Sequence, residues 1–218
     1  MGTDEDDSGY GVTVDSANNI YVSGYSKGDL DSITNLGNNY DLFLVKYNSS
    51  GSKQWTQLLG SSSDNYYGYR VTGDSADNIY LTGKTNGSLD NNTNEGNYDI
   101  LLIKYDSYGT KLWSQQLGTT EEDIGYGVAA DSADNIYVTG STKKNLDNNT
   151  YAGDKDIFLV KYNSSGTKQW TQQLGTSSED FGYGVTVDSL NNIYLTGKTN
   201  GSLDNNTNEG NYDILLIK

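Results

Sequence analysis

Apolar residues along this chain come in short bursts, each followed by a polar turn. Tyr10, Val12 and Val14 alternate with small or polar residues, so they share one face of a strand over 10–14. Ala17-Asn18-Asn19 then turns the chain, because Asn tolerates positive φ. Ile20-Tyr21-Val22-Ser23 reads as a second strand, and Gly24 to Asn39 as a long loop rich in Gly, Asn and Asp. Leu42-Phe43-Leu44-Val45 is apolar at consecutive positions, the mark of a strand buried on both faces. After a turn at Asn48–Gly51, a fourth strand carries Trp55 and Leu59 and ends at Gly60. No stretch of adequate length has a helical period.

The same pattern recurs in four copies of a 57–59-residue unit. Asp15, Asp74, Asp131 and Asp188 hold one equivalent position, Lys46, Lys104, Lys161 and Lys218 another, and Trp55, Trp113 and Trp170 a third. Asn78–Lys104 is identical to Asn192–Lys218, and Phe43–Gly51 to Phe158–Gly166, as duplication of a two-unit block would leave them. Four-stranded units with regular turns and a Trp each predict an all-β fold of β-propeller blades. The alternative, a β-solenoid, usually has shorter coils. The blades fall at about 8–60, 67–118, 125–175 and 182–218 of a single repeat array, each a four-stranded antiparallel sheet. The last lacks its outer strand, because the sequence stops after a third one.

The motifs resemble the bacterial SBBP-type β-propeller repeat. The matches are Asp131, then Asn135-Ile136-Tyr137-Val138-Thr139-Gly140, then Asp156-Ile157-Phe158-Leu159-Val160-Lys161, then Gly166, Trp170 and Gly175. The family's usual turn Gly is replaced by Asn18, Asp77, Asp134 or Asn191, residues that also enter the left-handed region. The family's Pro after the second strand is absent. The resemblance implies a propeller, secreted or at the cell surface in a parent protein, more strongly than any function. No signal peptide follows Met1.

Composition narrows the chemistry. A formal net charge of −15 with 33% hydrophobic residues alone suggests disorder, but the regular apolar pattern, 19 Tyr and 3 Trp answer that. Without Cys or His there is no thiolate nucleophile, no Ser-His-Asp machinery and no Cys- or His-ligated metal. The charge argues against nucleic acid, and no apolar run is long enough to insert in a membrane. In an up-and-down blade the interblade connections and the long loops share one face. Those segments carry 22 of the 29 acids and six lysines, net −16, against +1 elsewhere. The sequence therefore predicts an acidic loop face able to attract cations or a basic partner, or to keep the sheets soluble.

Three sets of candidate residues follow. Asp90, Asn92, Asn94 and Glu95, and identically Asp204, Asn206, Asn208 and Glu209, resemble the first oxygen positions of a calcium loop without its glycine or its terminal Glu. Calcium is thus the one candidate cofactor, with Asx-turns the alternative account. Tyr25, Tyr40, Tyr98, Tyr151 and Tyr212 flank the long loops and would line a ligand site, glycan above all, or plug the fold beneath the loops. The Asp15 and Lys46 series and the Trp series are structural candidates, an ion pair or a turn cap recurring in each blade.

A catalytic site is usually unique, whereas these acids recur blade after blade. The expected function is therefore a non-catalytic binding or scaffold module, with no catalytic residues. A lectin-like propeller is the alternative, and a glycoside-acting enzyme the weaker one. The unpartnered third strand predicts either a fragment of a larger array or self-association of two chains into an eight-blade ring.

Overall fold

The computed structural model describes residues 1–37 and 39–218. Blade 1 contains β1 (Asp7–Val14), β2 (Ile20–Ser26), β3 (Asp41–Tyr47) and β4 (Lys53–Leu59). Blade 2 contains β5 (Tyr66–Gly73), β6 (Ile79–Thr85), β7 (Asp99–Tyr105) and β8 (Lys111–Leu117). Blade 3 contains β9 (Asp123–Ala130), β10 (Ile136–Thr142), β11 (Asp156–Tyr162) and β12 (Lys168–Leu174). Blade 4 contains β13 (Asp180–Val187), β14 (Ile193–Thr199) and β15 (Asp213–Ile217). Each sheet is an antiparallel meander in chain order. Apart from a single 3₁₀ turn at Leu146–Asn148, the regular structure of the described residues is β.

The four Asn and Asp turn residues adopt φ of 59–62°, the left-handed conformation expected of them. The second strand is longer than its pattern suggested. It runs through Gly24 and Tyr25 to Ser26, which pairs with both Asp7 and Asp41. Its glycine is there for a bulge. A Cβ on Gly24, Gly83, Gly140 or Gly197 would collide with the carbonyl oxygen of Ser8, Tyr67, Ile124 or Phe181 in the neighbouring first strand. At this contact the first strand carries one extra residue, Tyr10, Tyr69, Tyr126 or Tyr183, left out of the ladder. Tyr10 therefore does not continue the period-two face of Val12 and Val14.

The core lies between blades. The first strand of each blade packs across the first three strands of the one before it, β5 on β1–β3, β9 on β5–β7 and β13 on β9–β11. Leu42 and Leu44 of blade 1 and Ile100 and Leu102 of blade 2 are thereby buried, as are Val71 and Val128 of the covering strands. The two ends of the array remain open. Val12, equivalent to Val71, is 68% exposed against 7%. Ile214 and Leu216, equivalent to Ile100 and Leu102, are 92% and 74% exposed against 2% and 1%. The blades form an arc with two unlike bare faces.

Candidate functional site

The first-to-second-strand turns hold the Asp15 series. Asp15 Oδ1 accepts from the N–H groups of Ala17 (3.0 Å) and Asn19 (2.8 Å), and Oδ2 from Asn19 Nδ2 (2.8 Å) and the Tyr21 hydroxyl (2.9 Å). Asp74, Asp131 and Asp188 repeat this cap. Burial pushes the Asp15, Asp74 and Asp131 carboxyls up, but the hydrogen bonds outweigh it and hold all three below the usual range. Asp188, where the bond from Asn192 leads, falls to about 2. Lys46 lies 3.7 Å from Asp15, and Lys104 3.5 Å from Asp74. Lys46, Lys104, Lys161 and Lys218 each stand over the ring of the capping Tyr, at 5.0–5.7 Å. Trp55, Trp113 and Trp170 meet the same Tyr rings at 5.8–6.1 Å. The carboxylates of this motif hold their own turns, and Lys46 and Lys104 also donate to the Ser107 and Ser164 carbonyls of the next blade.

The long loops do not stand clear of the blades. Leu30, Leu89, Leu146 and Leu203 are buried beneath them, and the loops drape over the outer strand. Asp31, Asp90 and Asp147 reach Lys53, Lys111 and Lys168 at the start of that strand, Asp90 at 2.7 Å. In the calcium-like segment, Asn92 Nδ2 donates to the Leu89 carbonyl (2.9 Å) and Asn94 Nδ2 to that of Thr85 (3.2 Å). The Glu95 N–H donates to Asp99 Oδ2 (3.0 Å). Asn206, Asn208 and Glu209 repeat the arrangement with Leu203, Thr199 and Asp213. Both asparagines thus turn amide donors into the fold. Among the described residues no group of three or more acidic side chains is placed to hold a metal ion.

The acidic face is smaller than the sequence count suggested. Asp41, Asp99, Asp123, Asp156 and Asp180, all counted there, are buried. They clamp the interblade connectors. Asp99 packs against Gly118, where any Cβ would collide with its carboxylate, and accepts from Gln116 Nε2 at 3.0 Å. Asp123 Oδ2 accepts from the N–H of Thr119 (2.5 Å) and its hydroxyl (2.8 Å). Asp156 and Asp180 do the same around Gly175 and Thr176. Each of the five leaves Oδ1 without a hydrogen-bond partner. Burial raises Asp41 and Asp123 to about 6 and pushes Asp99 and Asp156 up as well.

Of the candidate tyrosines, Tyr25 and Tyr40 meet at 5.2 Å and both pack on Tyr67, which also touches Tyr98 at 6.1 Å. Tyr212 packs near Phe181 and bonds Glu179. Lys84 stands 4.1 Å over Tyr98, and Lys198 3.8 Å over Tyr212, so lysines already occupy these ring faces. Sequence reasoning missed the bulged tyrosines. Tyr10, Tyr69, Tyr126 and Tyr183 follow one another along the inner strands at 5.4–5.7 Å between centroids. The recurring Gly-Tyr pair was their signal. Tyr151 stands apart. With Glu95, Thr119, Thr120, Lys144 and Asn145 it lines a cavity of about 430 Å³ between the long loops of blades 2 and 3. This cavity brings together one residue from the calcium set and one from the tyrosine set.

The beta-propeller repeat model matches residues 2–31, 54–90, 112–147 and 169–204. The chain belongs to the SBBP beta-propeller repeat family. It is 30% identical over 211 residues to an uncharacterised WD repeat-containing protein of Acanthamoeba polyphaga mimivirus, covering 88% of this chain and 12% of that protein. It is 28% identical over 117 residues to Regulatory protein FlaEY of Caulobacter vibrioides, covering 50% of this chain and 12% of that one. The likeness thus extends to a viral protein as well as to a bacterial one. Among solved structures, virginiamycin B lyase of Staphylococcus aureus superposes with a TM-score of 0.52 at 14% identity, covering 99% of this chain and 57% of the lyase.

That last likeness corrects one expectation. Recurrence of acids from blade to blade argues against an enzyme on sequence grounds, yet a propeller of this geometry is a lyase. Repetition in the scaffold does not exclude catalysis. At 14% identity the likeness shows the fold alone and assigns no reaction here.

Proposed function

We propose that this chain is a binding and assembly module in which four blades associate with a second copy to complete a propeller ring, and the loop side serves as the contact surface. The observation that carries the reading is the pair of bare end faces. Val12 at one end and Ile214 with Leu216 at the other are the members of a packing set that is buried at the junctions inside the array. Apolar faces of this kind rarely stay in water. The arc also accounts for a little over half of the lyase propeller it superposes on, so closure calls for further blades. Light scattering with a low-resolution particle shape tests the reading. A disc of twice the chain mass is expected, and a monomer across a wide concentration range overturns it.

The cavity beside Tyr151 favours a second reading, glycan binding. An aromatic face next to Glu95, Asn145 and Lys144 offers apolar stacking together with oriented hydrogen-bonding groups. A broad glycan array tests it, with Tyr151→Ala expected to abolish any signal.

A further inference from the structure

We infer that two copies join head to tail in the register that joins consecutive blades inside one copy, with blade 4 of each receiving Asp6, Asp7, Val12 and Asn18 of the other. The inference rests on the self-association reading and specifies its interface. Two contact series run along the whole array and a charged one spans its last two junctions, and each stops at the open ends with complementary members to spare.

The first series is backbone. The N–H of Tyr66 donates to the Tyr40 carbonyl (2.7 Å), that of Asp123 to Tyr98 (2.7 Å) and that of Asp180 to Lys155 (2.8 Å). Each bond ties the first strand of one blade to the residue before the third strand of the previous blade. The next bond in the series would run from Asp7 of a second copy to the Tyr212 carbonyl.

The second series links turns. The Ser16 hydroxyl donates to Asp77 (2.7 Å), Ser75 to Asp134 (3.0 Å) and Ser132 to Asn191 (3.5 Å). Ser189 and Asn18 are the end members of this series.

The third is charged. Lys84 lies over Tyr98 and meets Glu122 of the next blade at 3.4 Å, and Lys155 meets Glu179 of the next blade at 3.1 Å. Lys198 lies over Tyr212 in the same pose as Lys84, and Asp6 holds the position equivalent to Glu122. Docking brings them together, and Val12 covers Ile214 and Leu216 as Val71 and Val128 cover their own partners. A head-to-tail contact forms rings when the rotation closes and filaments when it does not. Four blades cover 57% of the lyase propeller, so two copies close into a ring slightly larger than that one.

Mixing tests the register. Val12→Asp and Ile214→Asp alter exposed residues, so both variants fold, as circular dichroism will verify. In a pair of identical variant copies both junctions carry the lesion, and each variant alone is expected to be monomeric at concentrations where the wild type is dimeric. A mixed pair keeps one junction unaltered, so mixing the two variants is expected to restore dimers. No restoration, or a variant that stays dimeric alone, overturns the register while leaving self-association in place. A monomeric wild type overturns both. The chain has no cysteine, so Asn18→Cys with Ser189→Cys in one chain reads the same register by disulfide trapping. A covalent dimer is the expected limit, and a ladder of larger products overturns ring closure.

Discussion

Asp123 of blade 3 donates its backbone N–H to the carbonyl beside Asp99 of blade 2, and both carboxylates are buried with one oxygen unpartnered. Burial, and then the neighbouring Asp99 charge, push Asp123 up to about 6 against the bonds from Thr119. A carboxyl held above its unfolded value stabilises the fold fully below the unfolded pKa, near 4, and that contribution is lost as pH rises through 6. The loss is on the order of 3 kcal/mol for Asp123. Melting temperature is therefore expected to fall between pH 4 and pH 6.5, and Asp123→Asn to flatten that slope. A slope unchanged in the variant would contradict the assignment. Asp41, raised to about 6 by burial alone, adds a parallel term at the first junction, where Tyr66 stands in place of a second acid.

Gly51 and Gly166 occupy equivalent third-to-fourth-strand turns at φ of 80° and 83°. Nothing lies near Gly51, whereas a Cβ on Gly166 would sit 3.1 Å from the Trp113 indole of the preceding blade. Gly51→Ala pays only the left-handed backbone, about 1 kcal/mol. Gly166→Ala adds a clash with a bulky ring and is expected to cost about 1 kcal/mol more. Urea denaturation of the two variants gives the difference directly.

Asp131→Ala removes the acceptor for two backbone N–H groups, the Asn135 amide and the Tyr137 hydroxyl. A loss of about 2–3 kcal/mol follows, since the Tyr137 hydroxyl is left buried without its partner. Asp131→Asn keeps an acceptor oxygen and is expected to recover part of it. The same denaturation series reads both.

Asp90 is bonded to Lys111 and Ser114, and the neighbouring asparagines donate rather than accept. Millimolar calcium, or its removal with a chelator, is therefore expected to leave the melting temperature unchanged. Lys111→Ala is expected to cost at most about 1 kcal/mol, the range for an exposed ion pair. A shift of several degrees with calcium would reverse this reading of the loop.

Strand order, blade number and the turn conformations were legible in the alternation of apolar residues and in the repeated Asn and Asp. Three features were not. Gly24 reads as a strand breaker, and only the close approach of the Ser8 carbonyl shows that it permits a bulge inside a longer strand. Tyr10 fits a period-two face with Val12 on paper, and the extra residue in the ladder removes it. Asp41, Asp99 and Asp156 look like loop charge, because sequence cannot distinguish a solvated acid from one tucked beneath a connector glycine. Their signal was present in Gly60, Gly118 and Gly175, which recur where a side chain would not fit. The candidate tyrosines fared unevenly, since most of their ring faces are taken by one another or by lysines, and Tyr151 alone lines a cavity.

The backbone bond and the turn-to-turn bond recur at all three junctions, and these shared contacts specify adjacency without specifying which blade is adjacent to which. Asn78–Lys104 and Asn192–Lys218 are the same 27 residues, so a folding chain has two chemically indistinguishable segments for one docking place. Chain connectivity selects between them, helped by first strands that differ as Tyr66 does from Asp180. Nascent blades that find the wrong neighbour, in the same molecule or another, would form native-like contacts in the wrong order, a trap with little misfit to undo it.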